Sequence, residues 1–115
     1  MSGVAVKTRK ERDESDLLFK AVADPSRRKI LDLLADQELP LMRIEEQFAM
    51  SRTAVLKHLH ILKLGKLVVT RKQGRKTLHR LNAEPLRAMG DWVARFEVLW
   101  EERLLKLKQQ VEADT

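Results

Sequence analysis

The 115-residue chain contains no cysteine, no long run of apolar residues, and no acidic residue across one stretch of thirty positions. Without cysteine there can be no disulfide bonds, iron–sulfur clusters, thiolate zinc sites or cysteine nucleophile. The apolar runs are far shorter than the roughly 20 residues that a membrane-spanning helix needs. The N-terminus is polar and mixed in charge, without the apolar segment of a signal peptide. These absences predict a cytoplasmic protein with no membrane partner.

The signatures of catalytic sites are missing as well. The sequence has no glycine-rich phosphate loop, no glycine-flanked nucleophile and no histidine beside a pair of carboxylates. We therefore expect neither an enzyme nor a protein with a cofactor or a bound metal. A chain of 13.4 kDa has room for one domain with a limited core, so self-association would add useful burial.

The thirty positions without acidic residues are strongly basic. Residues 51–80 contain nine Lys or Arg, whereas the other 85 residues carry 14 basic and 17 acidic side chains. The net charge of +6 is therefore concentrated in that segment, which also contains all three histidines. This asymmetry is typical of a surface that binds a polyanion. On charge alone, a solvated basic face without a partner is the alternative.

Apolar spacing and capping residues predict a helical N-terminal half. Residues 1–14 have almost no apolar periodicity and are predicted to form a disordered tail. Short helices are expected from Asp16, from Pro25 behind the N-cap Asp24, and from Pro40. Each of these helices has an apolar stripe at helical spacing.

A fourth helix, N-capped by Ser51 and ended by Gly65, follows the third after about three residues. Two helices with such a short connection are typical of a helix-turn-helix. Strand-forming residues then flank a turn at Gly74, which predicts a hairpin with basic residues at its tip. The expected fold is mostly α with a small β-hairpin wing, a winged helix-turn-helix over residues 15–83.

The fourth helix has one apolar face and one basic, hydroxyl-bearing face. With Val55, Leu59 and Leu62 on the core side, the opposite side suits entry into the major groove of DNA. Arginine can bond a guanine edge through two nitrogens, threonine can bond a base, and lysine can reach a phosphate. The predicted DNA contacts are Ser51, Arg52, Thr53, Lys57 and His60 on this helix, and Arg71, Lys72, Arg75 and Lys76 on the wing.

The histidines are not predicted to bind metal. His58 falls on the flank of the core side and is expected to pack there or to touch a phosphate. It points away from His60, two residues later on the helix, so the two cannot share one ion. His79 lies in a predicted strand and is expected to be structural.

The final helix, over residues 84–115, has an apolar stripe that continues for about seven turns. One small core can cover only part of this stripe, so the remainder is expected to pair with a second copy in an isologous interface. A stripe that packs only within its own chain is the alternative. The predicted dimer contacts are Leu17, Leu18 and Phe19 of the first helix and Trp92, Phe96, Leu99, Trp100, Leu104 and Leu107 of the last.

Three stretches resemble the ArsR family of winged-helix repressors. Residues 23–34 (ADPSRRKILDLL) resemble the opening of that family, residues 50–59 (MSRTAVLKHL) its recognition helix, and residues 67–82 its wing. The last helix resembles a branch that does not sense metals. The resemblance implies a homodimer that binds double-stranded operator DNA, usually as a repressor, through the fourth helix and the wing. It also implies a dimer interface formed by the first and last helices.

The chain departs from the metal-sensing members of that family. Those members carry a cysteine pair in the third helix, or Asp, His and Glu ligands in the last one. This chain has no cysteine, and its last helix has no histidine. The resemblance therefore implies no metal, and the inducer stays unknown.

Two alternatives to this interpretation remain open. A protein–protein interaction module that docks through the long C-terminal helix would show a basic patch without sequence-specific DNA binding. A MarR-like architecture is the nearer structural alternative. It needs helices on both sides of the winged domain, and the short segment before the first predicted helix favours the ArsR-like arrangement.

Overall fold

The computed structural model describes residues 8–114. These residues group into two compact units, one extending to Pro85 and the other starting at Leu86. Within the described range the elements are α1 (Arg9–Val22), α2 (Pro25–Leu34), β1 (Leu39–Pro40), α3 (Leu41–Glu45), α4 (Arg52–Leu64), β2 (Val68–Gln73), β3 (Lys76–Leu81) and α5 (Glu84–Ala113). This mostly helical fold with a small antiparallel sheet confirms the predicted fold class.

Side-chain caps set the starts of two predicted helices. Asp24 Oδ2 accepts a hydrogen bond from the backbone N–H of Arg27 (3.1 Å), and Ser51 Oγ accepts one from that of Ala54 (3.2 Å). Each bond satisfies an N–H group that has no partner within its helix. Pro25, in the first turn of α2, has no N–H to lose. These local bonds start α2 and α4 at the residues that the sequence predicts.

Helix α1 begins earlier than predicted. The sequence predicts a disordered tail over residues 1–14 and a helix from Asp16, but the helix begins at Arg9. The cause is Thr8, whose Oγ1 accepts a hydrogen bond from the backbone N–H three residues later (3.2 Å) and so caps the helix. The part of the predicted tail over residues 1–7 lies outside the described residues.

The wing is the antiparallel hairpin of β2 and β3. The two strands pair from Val68 opposite Leu81 at the base to Gln73 opposite Lys76 at the tip. Gly74 opens the two-residue turn with a φ of 62°, a left-handed conformation that glycine adopts without a steric penalty. This is the predicted hairpin.

A third strand joins the wing, and the sequence did not predict it. Leu39 lies opposite His79 and Pro40 opposite Leu78, so the order across the sheet is β1–β3–β2. With only two residues, β1 is too short to show an alternating pattern, and its proline cannot donate to the ladder. Because β1 leads directly into α3, it connects the wing to the helix-turn-helix.

Apolar side chains from the helices and the wing form the core of the first unit. Val55, Leu59 and Leu62 are at most 1% exposed, which confirms the predicted core face of α4. The large side chains buried most completely are Ile30, Ile44, Val55, Leu59, Leu62 and Leu67.

Leu18 belongs to this core, which corrects its predicted place at a dimer interface. It is 7% exposed in the single chain and shares the buried face of α1 with Ala21, three residues later. That face packs against α4, so the Leu18 side chain is covered without a second copy. Its neighbours Leu17 and Phe19 are half-buried.

At its C-terminal end, α4 lies close to α1, and the chain then passes through one residue with a left-handed backbone conformation. The N–H of Leu67 donates to Leu62 O (3.0 Å), and that of Lys66 donates to Lys63 O (2.9 Å). These are the two bonds of a Schellman motif. The left-handed residue is Lys66, with φ of 61°, whereas Gly65 has φ of −78°. Gly65 is therefore needed for its lack of a side chain rather than for its backbone conformation.

We predict opposite effects on stability for substitutions at these two neighbouring positions. A Cβ on Gly65 would lie 3.0 Å from Ala21 Cβ and 3.2 Å from Leu17 O. Gly65→Ala should therefore push α1 from α4 and lower the free energy of unfolding by about 1–3 kcal/mol. Lys66→Gly should raise the free energy of unfolding by up to about 1 kcal/mol, because glycine adopts the left-handed conformation without the steric penalty that a side chain adds.

Urea unfolding followed by circular dichroism, at one fixed protein concentration, measures both changes. Equal stability of the Gly65→Ala variant and the wild type would contradict the close approach of α1 to α4.

Candidate nucleic-acid interface

The helix-turn-helix consists of α3 and α4, joined by residues 46–51. This turn is longer than the three residues predicted, because α3 is short and Phe48 lies beyond its end. Lys29 of α2 holds the turn in place. Its Nζ donates a hydrogen bond to Gln47 O (2.6 Å) and lies 4.7 Å from the centre of the Phe48 ring.

The basic face of α4 points away from the core. The buried apolar residues occupy one side of the helix, so the polar side chains between them lie on the other. All five predicted DNA contacts of this region are exposed: Ser51, Arg52, Thr53, Lys57 and His60. The helix therefore offers these groups together on one surface.

Arg52 is oriented by a carboxylate on the preceding helix. Its Nε lies 3.2 Å from Glu45 Oε1, so the ion pair connects α4 with α3 across the turn. The contact engages one edge of the guanidinium. The two terminal nitrogens are left to bond a flat acceptor pair such as the guanine edge.

The four predicted contacts on the wing are also exposed, but they are not equivalent. Arg71 Nε lies 2.6 Å from Glu38 Oε2, so a carboxylate already offsets its charge. Within residues 8–114, Lys72, Arg75 and Lys76 have no carboxylate partner. The uncompensated positive charge of the wing is therefore concentrated at its tip.

A groove of about 750 Å³ lies between α3, α4 and the wing. It brings the predicted contact Arg52 together with the predicted wing contacts Arg75 and Lys76. The other predicted contacts of α4 and the wing do not line it. Its walls combine cationic and apolar side chains, among them Arg52, Lys63, Arg75, Lys76, Met42 and Leu56.

The residues predicted to contact DNA leave out Lys63 and Leu56, which are part of this surface. Lys63 follows Arg52 by eleven residues, about three helical turns, so both lie on the same face of α4. Leu56 follows Arg52 by four residues and is 45% exposed. Helical spacing alone could have found both.

A buried arginine ties α4 to the two helices behind it. Arg27 is 9% exposed, and its guanidinium donates hydrogen bonds to Ala21 O (2.8 Å) and Lys20 O (2.9 Å) at the end of α1. Its Nη1 lies 3.2 Å from His58 Nδ1 on α4. A guanidinium can only donate, so His58 accepts through Nδ1 and carries its hydrogen on Nε2. His58 thus contributes to packing behind the basic face.

Asp24 lies beside this contact, with Oδ2 3.9 Å from His58 Nδ1. Burial raises the pKa of Asp24, but the hydrogen bond from the backbone N–H of Arg27 and the positive charge of the Arg27 side chain lower it by more, so the pKa lies below its usual 3.8. The carboxylate is therefore ionised at neutral pH and keeps capping α2.

His79 connects the wing to β1. It is 4% exposed, and its Nδ1 donates to Leu39 O (3.2 Å), because a carbonyl oxygen can only accept. Burial lowers the pKa of His79 below its usual 6.5, so the ring is neutral at pH 7. The structural role predicted for His79 agrees with this position. No group of three or more His, Cys, Asp or Glu side chains suited to a metal occurs within residues 8–114.

The second unit is one helix with an exposed apolar stripe. Trp92 and Phe96 pack edge to face, with ring centres 5.1 Å apart and planes at 65°. Of the helices in the described range, α5 included, none is both long and apolar enough to span a membrane. No described residue of α5 is buried, and the predicted dimer contacts on it are each at least 42% exposed: Trp92, Phe96, Leu99, Trp100, Leu104 and Leu107.

The chain is similar to known regulators over most of its length. Residues 22–71 match the model of a helix-turn-helix domain family. The transcriptional repressor SdpR of Bacillus subtilis is 35% identical over 79 residues, which cover 69% of this chain and 88% of SdpR.

Solved structures share the fold, and two of them show how far the likeness extends. An ArsR-like transcriptional regulator from Rhodococcus sp. RHA1 aligns with a TM-score of 0.73 at 28% identity, over 93% of this chain and 98% of that one. A homodimeric winged helix-turn-helix DNA-binding domain from Mycobacterium bovis aligns with a TM-score of 0.64 at 30% identity, over 84% of this chain and 92% of that one.

We predict that Glu45→Gln weakens the discrimination between a preferred DNA duplex and one that lacks the guanine expected to pair with Arg52. The loss should be up to about fivefold, because an exposed ion pair contributes about 0.2–1 kcal/mol to holding the side chain in place. Fluorescence anisotropy titrations with the two duplexes measure it.

Glu46→Gln is the matched control. It removes the same charge one residue later, but its carboxylate pairs with Arg43 rather than Arg52 (3.4 Å). Both variants should bind arbitrary DNA slightly more tightly, and only Glu45→Gln should lose discrimination. Equal discrimination by the two variants would show that Glu45 does not position Arg52.

Proposed function

The chain belongs to the ArsR family of winged helix-turn-helix transcriptional regulators, and we propose that it represses transcription by binding a palindromic operator as a homodimer. DNA-binding transcriptional regulation is the shared activity of this family. The observation that carries the proposal is the groove where Arg52 and Lys63 of α4 lie opposite Arg75 and Lys76 of the wing. A relative that is named a transcriptional repressor supports the direction of the effect.

In this proposal α4 enters the major groove with its exposed face towards the base edges. Arg52 and Thr53 read bases, and Lys57 and His60 reach the flanking backbone. The start of α4 also offers backbone N–H groups to a phosphate next to Ser51. Base contacts then give the sequence preference, and phosphate contacts set the register.

The wing binds the sugar–phosphate backbone beside the helix. Lys72, Arg75 and Lys76 at its tip pair with no carboxylate in the described part of the chain and are free to bind phosphate, whereas Arg71 has to leave or share Glu38. The sugar–phosphate backbone of DNA between the major and the minor groove fits into the protein groove that Lys63 lines. A protein held in this way occupies operator DNA and excludes other proteins from it.

Dimer formation uses the apolar stripe of α5. A folded monomer rarely exposes a continuous apolar surface of this length, and twofold pairing buries it in an isologous interface. The related domain from Mycobacterium bovis is homodimeric, which supports this arrangement. Leu17 and Phe19 of α1 remain candidates to extend the interface. Two copies then present their recognition helices roughly 34 Å apart, one turn of DNA.

The proposed site of action is the cytoplasm, with double-stranded DNA and a second copy of the chain as partners and no cofactor. The proposal assigns no inducer. An interaction module without sequence-specific DNA binding is not favoured, because the relatives are named as regulators of transcription.

We predict that helix and wing variants weaken DNA binding in two different ways. Arg52→Ala should cost about 1–3 kcal/mol on the selected operator and relax the preference at one base pair, since it removes a base contact. Replacing Arg75 and Lys76 together with alanine should weaken binding to all DNA and flatten the salt dependence by roughly 0.9 per lost phosphate contact.

Gel-shift titrations at several salt concentrations, on an operator selected from a random DNA pool, separate the two effects. If Arg52→Ala leaves specific binding unchanged, α4 is not the reading helix. If the wing variant keeps the wild-type salt slope, the charges at the tip do not meet phosphates.

We predict that Trp100→Glu yields a monomer that keeps its helical content but loses tight operator binding. Trp100 is 62% exposed in the single chain, and a carboxylate buried in the interface would have no partner. Gln109→Glu adds the same charge to the opposite side of α5, at 100° per residue, and should remain a dimer. Sedimentation equilibrium at micromolar concentration measures the state of each, and a monomeric wild type would overturn the proposed dimer.

A further inference from the structure

Leu56 is an exposed leucine on a helix whose other large apolar residues near it are used by the core. Leu59 and Leu62 are at most 1% exposed, whereas 45% of Leu56 is exposed. Leaving an aliphatic side chain in water forgoes the stabilisation that burial would give. Nearly half of Leu56 is therefore left for a partner to cover.

The position of Leu56 is the centre of the surface that faces DNA. Arg52 precedes it by four residues and His60 follows it by four, so the three side chains are neighbours on the helix. Thr53 lies one turn before it on the same side, and Lys63 lies two turns after it. Leu56 is thus an apolar group enclosed by side chains that can bond bases or phosphates.

The surroundings of Leu56 favour DNA over a protein as the partner that covers it. An apolar protein surface docked on Leu56 would also desolvate Arg52 and Lys63, which is costly without paired anions. DNA can both pair with these cations and cover the leucine. Its phosphates pair with the cations, and its major groove offers one apolar group. That group is the C5-methyl of thymine.

We propose that Leu56 contacts the C5-methyl group of a thymine next to the base pair that Arg52 reads. This inference rests on the proposed entry of α4 into the major groove. A leucine side chain has no donor or acceptor, so any other base edge placed against it would lose hydrogen bonds to water without replacement. Leu56 is therefore a specificity-determining residue that selects for thymine through the methyl group alone.

Replacing thymine with uracil tests this contact, because the two bases differ only by the methyl group. The full-length protein is first used to select an operator from a random DNA pool. Each thymine of the half-site is then replaced singly with deoxyuracil, and the dissociation constant of each duplex is measured by anisotropy. One position should weaken binding about fourfold, as expected for one buried methyl-sized group.

The same replacement in both half-sites should weaken binding about 16-fold, because distant contacts add. Leu56→Ala should abolish this uracil penalty, so that the thymine and deoxyuracil duplexes bind it equally. Leu64→Ala is the matched control, since Leu64 is 47% exposed at the far end of the same helix. It should keep the full penalty. Circular dichroism confirms that both variants are folded.

Three results would overturn the proposal, and they differ in what else they affect. If the wild type selects a specific operator but no uracil weakens binding, the methyl contact is absent and the proposed function stands. If Leu56→Ala keeps the penalty, another residue reads the methyl group. If the pool yields no preferred sequence, both the methyl contact and sequence-specific operator binding are wrong.

Discussion

The buried guanidinium of Arg27 is the interaction on which the orientation of α4 depends. A buried charge is tolerated only where its N–H groups have acceptors, and here those acceptors belong to the end of α1 and to His58 of α4. The backbone of the same residue is capped by Asp24, which starts α2. Three helices are thus fixed around one side chain, and the exposed face of α4 is oriented as a consequence.

Carboxylates from outside the basic segment pair with two of its arginines and so reduce the charge repulsion within it. Glu45 of α3 holds Arg52, and Glu38, which precedes β1, holds Arg71. These pairs keep two arginines in defined positions before any DNA is present. Among residues 8–114, the cations at the wing tip have no such partner. The surface therefore combines two arginines that are held in position with two lysines and one arginine whose charge is not offset. This division matches the separate needs of reading bases and holding phosphates.

Features determined by a few neighbouring residues could be predicted from the sequence, and features that depend on distant contacts could not. The caps at Asp24 and Ser51 and the turn at Gly74 are local signals, and the structure contains each of them. The β1 strand exists only because Leu39 meets a residue forty positions later. Helical spacing identified Leu18 as apolar but could not decide whether its own core or a second copy covers it. The Glu45–Arg52 pair likewise depends on how α3 crosses α4.

The two-residue strand β1 has a mechanical consequence. It is hydrogen-bonded to β3 on one side and continues into α3 at Leu41, so the wing and the helix-turn-helix share one backbone path. Bending the wing away from α4 would break the hydrogen bonds between β1 and β3 and expose His79. The wing and the helix-turn-helix of one copy are therefore held at a fixed spacing by the backbone itself.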